Sequence, residues 1–161
     1  MSRIALDTNV LVYVAGVRRV PADEDKRTLA QSMLPRLLAR GDLVVPVQAL
    51  GELYNVLARV RGDRSVAREQ ANRVVAGCIL APSTPSSVLA AIDLATRHRL
   101  QIWDALIICV AAEAGCALLL SEDMQDGFAA SGVTVVNPFS PTPHPALDAV
   151  LADADQSPGS P

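Results

Sequence analysis

Short apolar runs alternate with amphipathic stretches along nearly the whole chain. Ile4–Leu6, Leu43–Val45, Cys78–Leu80, Ala117–Leu120 and Val133–Val136 read as short strands buried between layers. A helix is expected from Asn9 or Val10, with Thr8 as its N-cap. Lys26–Arg40 carries Leu29, Met33, Leu37 and Leu38 at helical spacing, and Pro35 suggests a kink or restart. Pro46 opens a helix with an apolar stripe of Leu50, Leu53, Tyr54, Leu57 and Val60. Further helices are expected from a Ser65 cap to about Gly77, over Val88–His98, and from Asp104 to Gly115. The last is apolar on most sides and therefore buried. Strands alternating with helices predict a three-layer α/β/α fold around a short-stranded parallel sheet. The pattern stops after Phe139: six of the 11 prolines fall between Pro138 and Pro161. One domain is therefore expected over 1–139. Residues 140–161 read as a mostly disordered tail with a short helix over Ala146–Leu151.

Composition narrows the class. Half of the 161 residues are hydrophobic and only 3% aromatic, so the core must be Val, Leu, Ile and Ala. No apolar run reaches the length of a membrane span, and no signal peptide is expected. Cys78, Cys109 and Cys116 read as reduced core thiols, which suits a cytoplasmic protein. His98 and His144 lie far from any Cys pair, which argues against zinc. The net charge of −3 argues against a protein that simply coats nucleic acid. Neutralising four of the 17 acids would leave 13 against 14 bases, or +1. All bases but Lys26 are Arg, whose planar fork suits phosphate, although a GC-rich genome accounts for the same usage. The run Arg59, Arg61, Arg64, Arg68, Arg73 reads as a solvated helix face or as a phosphate-contacting rim.

Four acids stand apart from the rest. Asp7 interrupts an apolar run, and no Lys or Arg lies between it and Arg18. It either caps a helix or meets a distant partner or a bound cation. Glu52 has Val56 at i+4 and Gln48 at i−4, so no local salt bridge forms, and a solvated site stays open. Asp93, by contrast, has Arg97 four residues on. Asp104 enters an apolar helix whose dipole alone would favour it. Asp123, like Asp7, follows an apolar strand at the edge where parallel α/β sheets bind ligands. Four converging carboxylates repel and raise one another's pKa values. A hard divalent cation with oxygen ligands, Mg²⁺ or Mn²⁺, removes the conflict and can activate water for attack at phosphorus.

LDTNVLVY at Leu6–Tyr13, the Glu52 helix after VVPVQ, WDALI at Trp103–Ile107, LLLSEDMQDG at Leu118–Gly127 and VVNPF at Val135–Phe139 together resemble a PIN domain. Small bacterial members are similar to the VapC toxins of type II toxin–antitoxin pairs. The resemblance implies a Mg²⁺- or Mn²⁺-dependent ribonuclease, an RNA substrate, homodimers and a small inhibitory antitoxin. Under it, Asp7, Glu52, Asp104 and Asp123 match the family's acidic cluster. Asn9 and Ser121 match positions that keep the site polar and ordered. Asp126 departs from relatives that often carry His there; it is either a further ligand through water or a surface residue. Two rivals remain. A haloacid-dehalogenase-like phosphatase needs a second Asp two residues after Asp7, where Asn9 stands, and a late Lys, where the only Lys is Lys26. A non-catalytic RNA- or protein-binding module is disfavoured by the presence of all four acids.

Overall fold

Side chains alternate across a strand, and here both faces are covered. In β1 (Arg3–Leu6), Ile4 and Leu6 join one core while Ala5 joins another. The computed structural model describes residues 3–156. After β1 come α1 (Thr8–Val14), a 3₁₀ turn (Pro21–Asp23), α2 (Glu24–Ala39), β2 (Leu43–Pro46), α3 (Val47–Arg61) and α4 (Arg64–Val74). Then follow β3 (Ile79–Ala81), α5 (Pro85–His98), α6 (Ile102–Glu113), β4 (Cys116–Leu120), β5 (Ala129–Ala130), β6 (Val133–Val136) and α7 (Pro145–Gln156). The first core packs Ile4, Leu6, Val45 and Leu120 under α1–α4 and α7. The second packs Ala5, Val44, Leu119 and Val135 against α5 and α6. This is the expected three-layer arrangement.

Strand order is β3-β2-β1-β4-β6-β5, parallel throughout except for β5. The chain moves outward in one direction from β1 to β3 and in the other from β4. The crevice at such a switch lies beyond the C-terminal ends of β1 and β4. Backbone bonds from Asp7 to Leu120 and from Ser121 to Val136, 3.0 Å each, hold those ends together.

Several local expectations are corrected. Thr8 is not the cap of α1. Asp7 is, and its carboxylate accepts the Thr8 N–H. α2 runs unbroken through Pro35, which sits on an exposed side while Met33 and Leu37 are buried. Packing of those two outweighs one lost backbone bond. Asp63, not Ser65, caps α4, accepting from Ser65 and Val66, and the helix ends at Val74 rather than Gly77. Val60 is exposed, not part of the buried stripe of α3. Arg97 reaches the Asp93 carbonyl rather than its carboxylate. β5 was not expected. It is a two-residue return strand held by Gly127 and Val135 backbone bonds.

The largest correction lies past Phe139. Residues 145–156 form α7, not a mostly disordered tail with a short helix. Leu147 and Ala154 are buried, and α7 packs on α2. Arg36 donates to both Asp155 carboxylate oxygens and to the Leu151 carbonyl. The prolines mislead because Pro145 occupies the first helical position, where a missing N–H costs nothing. Residues 157–161, also expected to be disordered, lie outside the described residues. No described helix is long and apolar enough to cross a membrane.

Candidate active site

Asp7 is held from three sides. Oδ1 accepts the Thr8 N–H at 2.7 Å; Oδ2 accepts the Ser121 hydroxyl at 2.7 Å and the Asn9 amide at 3.1 Å. Only 6% of the residue is exposed. Burial pushes its pKa up to about 6, against the pull of the Ser121 and Thr8 hydrogen bonds, and the charges of Asp123 and Asp104 push further. The residue is therefore a helix cap and a destabilised carboxylate at once.

Asn9, in the first turn of α1, ties the two strand ends together. Its amide N–H₂ donates to Asp7 Oδ2 and, at 3.0 Å, to Asp123 Oδ2, while its carbonyl accepts the Glu122 N–H at 3.3 Å. An amide can donate to two carboxylates that would otherwise repel, which is why Asn suits this place and Asp would not. Ser121, fully buried, accepts the Asp123 N–H while donating to Asp7. Glu122 turns the opposite way, accepting from Tyr13 and Lys26 at 2.7 Å each, and so anchors the loop after β4 to α1 and α2.

Glu52 and Asp104 come from helices. Glu52 in α3 accepts the Thr8 hydroxyl at 2.8 Å and the Gln48 amide at 3.1 Å. Asp104 lies in the first turn of α6, and burial, then Asp123 and Glu52, raise its pKa. Asp7, Glu52, Asp104 and Asp123 all line one cavity of about 350 Å³, with Arg19, Asn55, Arg59 and Trp103 also on its walls. Among the described residues, no ion pair involves any of the four. Nor do three acidic, His or Cys side chains already stand close enough together to grip an ion. The donors nevertheless suit one. All are carboxylate oxygens, and among the described residues hydrogen bonds leave Asp104 and one Asp123 oxygen unused.

Asp126 stands elsewhere. It is exposed, does not line the cavity, and its Oδ1 accepts the Asn137 N–H at 2.8 Å, pinning the turn before β5 to the end of β6. Of the Arg run, only Arg59 reaches the cavity; Arg61 bonds Gln70 and Arg73 pairs with Glu69. Sequence reasoning missed Arg19, Asn55, Thr8 and Gln48 as site neighbours. Gln48 had a usable signal, standing one turn before Glu52. Arg19, in a loop, had none.

A family model described as the PIN domain matches residues 4–129. Comparison with curated proteins gave no match. Among solved structures, the chain is similar to the sarcin–ricin loop cleaving toxin VapC20 of Mycobacterium tuberculosis. The TM-score is 0.55 at 18% identity, over 72% of this chain and 86% of that one. It is also similar to a chain of a toxin–antitoxin complex from Klebsiella pneumoniae, with a TM-score of 0.59 at 17% identity, over 84% and 98%. At such identities the two structures bear on fold alone. The family match spans five of the six strands in whole or part and every one of the four gathered carboxylates, and on that ground the chain belongs to the PIN domain family.

Proposed function

We propose that the protein is an endoribonuclease dependent on Mg²⁺ or Mn²⁺, acting in the cytoplasm as the toxin of a toxin–antitoxin pair. The observation that carries this reading is the convergence of Asp7, Glu52, Asp104 and Asp123 on one cavity, with no base among the described residues paired to any of them. Membership of the PIN domain family and the toxin structures of the same fold support RNA as substrate and a small antitoxin as partner. A homodimer rests on the family resemblance.

A divalent cation bound here supplies Lewis acidity toward a phosphoryl oxygen and makes bound water a stronger nucleophile. The chain's own residues do the rest. Asp7, Asp104 and Asp123 provide its ligands, and Asn9 and Ser121 hold two of those carboxylates in place. Glu52, fixed by Thr8 and Gln48, lines the same cavity and would complete the acidic set around the cation. Arg19 and Arg59 line the same cavity, and a guanidinium there would stabilise the charge that builds on phosphate oxygens. Asp126 takes no part beyond its turn.

Cleavage of labelled RNAs tests the reading. Cutting is expected with Mn²⁺ or Mg²⁺ and not with EDTA. Asp104→Asn, which keeps shape and removes a charge, should slow it on the order of 10²–10³-fold. Cutting that survives EDTA, or an Asp104→Asn protein as active as wild type, would overturn it.

A further inference from the structure

Trp103 is the chain's one tryptophan, and it is 58% exposed. An indole normally contributes by burial, so leaving this one in water needs a reason. It stands in the first turn of α6, beside Asp104, and its place is unusual. Trp103 and Glu52 line the acidic cavity, and the same two residues line an adjoining groove of about 610 Å³. The rest of that groove is mostly apolar: Val47 (45% exposed), Pro82 and Leu106.

Gln48 lies in the same groove and carries a second signal. Its Nε2 donates to Glu52 Oε1 at 3.1 Å, which fixes the orientation of the amide. That leaves Gln48 Oε1 buried with no hydrogen-bond partner. A buried acceptor in that state is unusual and calls for a donor. The groove thus has an aromatic face, apolar walls and, closed to solvent beside it, one orphaned acceptor, and it shares Trp103 and Glu52 with the acidic cavity.

We propose that this groove is a nucleobase subsite, in which the base next to the scissile phosphate stacks on Trp103 and, as the Gln48 amide turns out of its closed position, donates an N–H to its Oε1. The proposal rests on RNA being the substrate. A base in a duplex has both faces covered and its pairing edge occupied, so only an unpaired nucleotide can enter. Charge and stacking then divide the work. Arg19 and Arg59 hold the backbone, whatever the sequence, and Trp103 requires that the strand be open at the point of cutting.

The single tryptophan makes the test direct, because indole fluorescence reports on Trp103 alone. Wild-type protein is titrated with oligoadenylate, with the same strand in a duplex, and with a base-free ribose-phosphate oligomer of equal length. Each titration is run in EDTA and again with Ca²⁺. The single strand should quench the indole; the duplex and the base-free oligomer should not. Trp103→Ala should weaken single-strand binding roughly 5- to 100-fold, with the salt dependence unchanged, and Trp103→Phe should recover most of it. Binding is read without cleavage, so failure of the nuclease reading leaves this result standing. Equal quenching by base-bearing and base-free oligomers, or full affinity in Trp103→Ala, overturns the subsite even if the protein cuts RNA. So does a Trp103 signal that follows protein concentration rather than RNA, which would assign the face to a second copy of the chain.

Discussion

Asp7 combines two roles that compete in free energy. As the cap of α1 it must accept hydrogen bonds, and as a member of an acidic group it is charged at a site where burial disfavours charge. The consequence is a pH dependence of defined sign. Its carboxyl titrates near 3.8 in the unfolded chain and at about 6 in the fold. Between these values the folded state keeps a proton that the unfolded chain releases. Stability therefore falls as pH rises through that window and loses no more above it. The loss is on the order of 3 kcal/mol. In EDTA, Asp7→Asn should escape that loss, so its melting temperature relative to wild type should climb between pH 4 and pH 7 and then level off. Asn keeps the cap to Thr8, although its N–H₂ would face the Asn9 amide, which sets a limit on the gain. Parallel pH profiles for the two proteins would show that Asp7 is not a strained acid. Cation affinity of the wild type should rise through the same window, since a ligand must lose its proton first. Asp7's lack of a local base was legible in the sequence. Its place as the cap was offered there only as a rival to cation binding, and the structure joins the cap to the acidic cluster.

At the scale of elements, the helices and strands that were read correctly are those with continuous apolar signals. A buried parallel strand is a short apolar run, and β1, β2, β4 and β6 are that. β5 could not be read, because two alanines acquire strand character only from the return of the chain onto β6. α7 was hidden by composition: of the six prolines past Val136, one opens the helix and the rest lie before or after it in the chain. Its docking makes a clear prediction. Leu147 is 3% exposed against α2, so Leu147→Ala should cost about 2–4 kcal/mol and lower the melting temperature by roughly 5–15 °C. Arg36→Ala should cost less than about 1 kcal/mol, because both partners of the Arg36–Asp155 pair are substantially exposed. An unchanged melt for Leu147→Ala would mean that α7 does not pack on α2 in solution.

For the whole molecule, topology does what no local pattern can. The switch in strand order between β1 and β4 brings residues 7 and 123 to one crevice, and α3 and α6 start beside it. The sequence revealed which acids lacked partners and that two followed strands; that was enough to expect a shared edge. The contributions of Arg19, Asn55 and Gln48 depend on loop paths and helix rotation, which apolar periodicity does not encode. The same convergence underlies the proposal that Asp7, Asp104 and Asp123 hold one divalent cation between them. The most direct measurement is an anomalous-scattering map from crystals soaked in Mn²⁺, collected near the manganese edge. A peak is expected among those three carboxylates, facing Glu52, and its loss is expected in Asp104→Asn crystals. A map with no peak in that cavity, or with manganese only at surface acids such as Asp126, would contradict it.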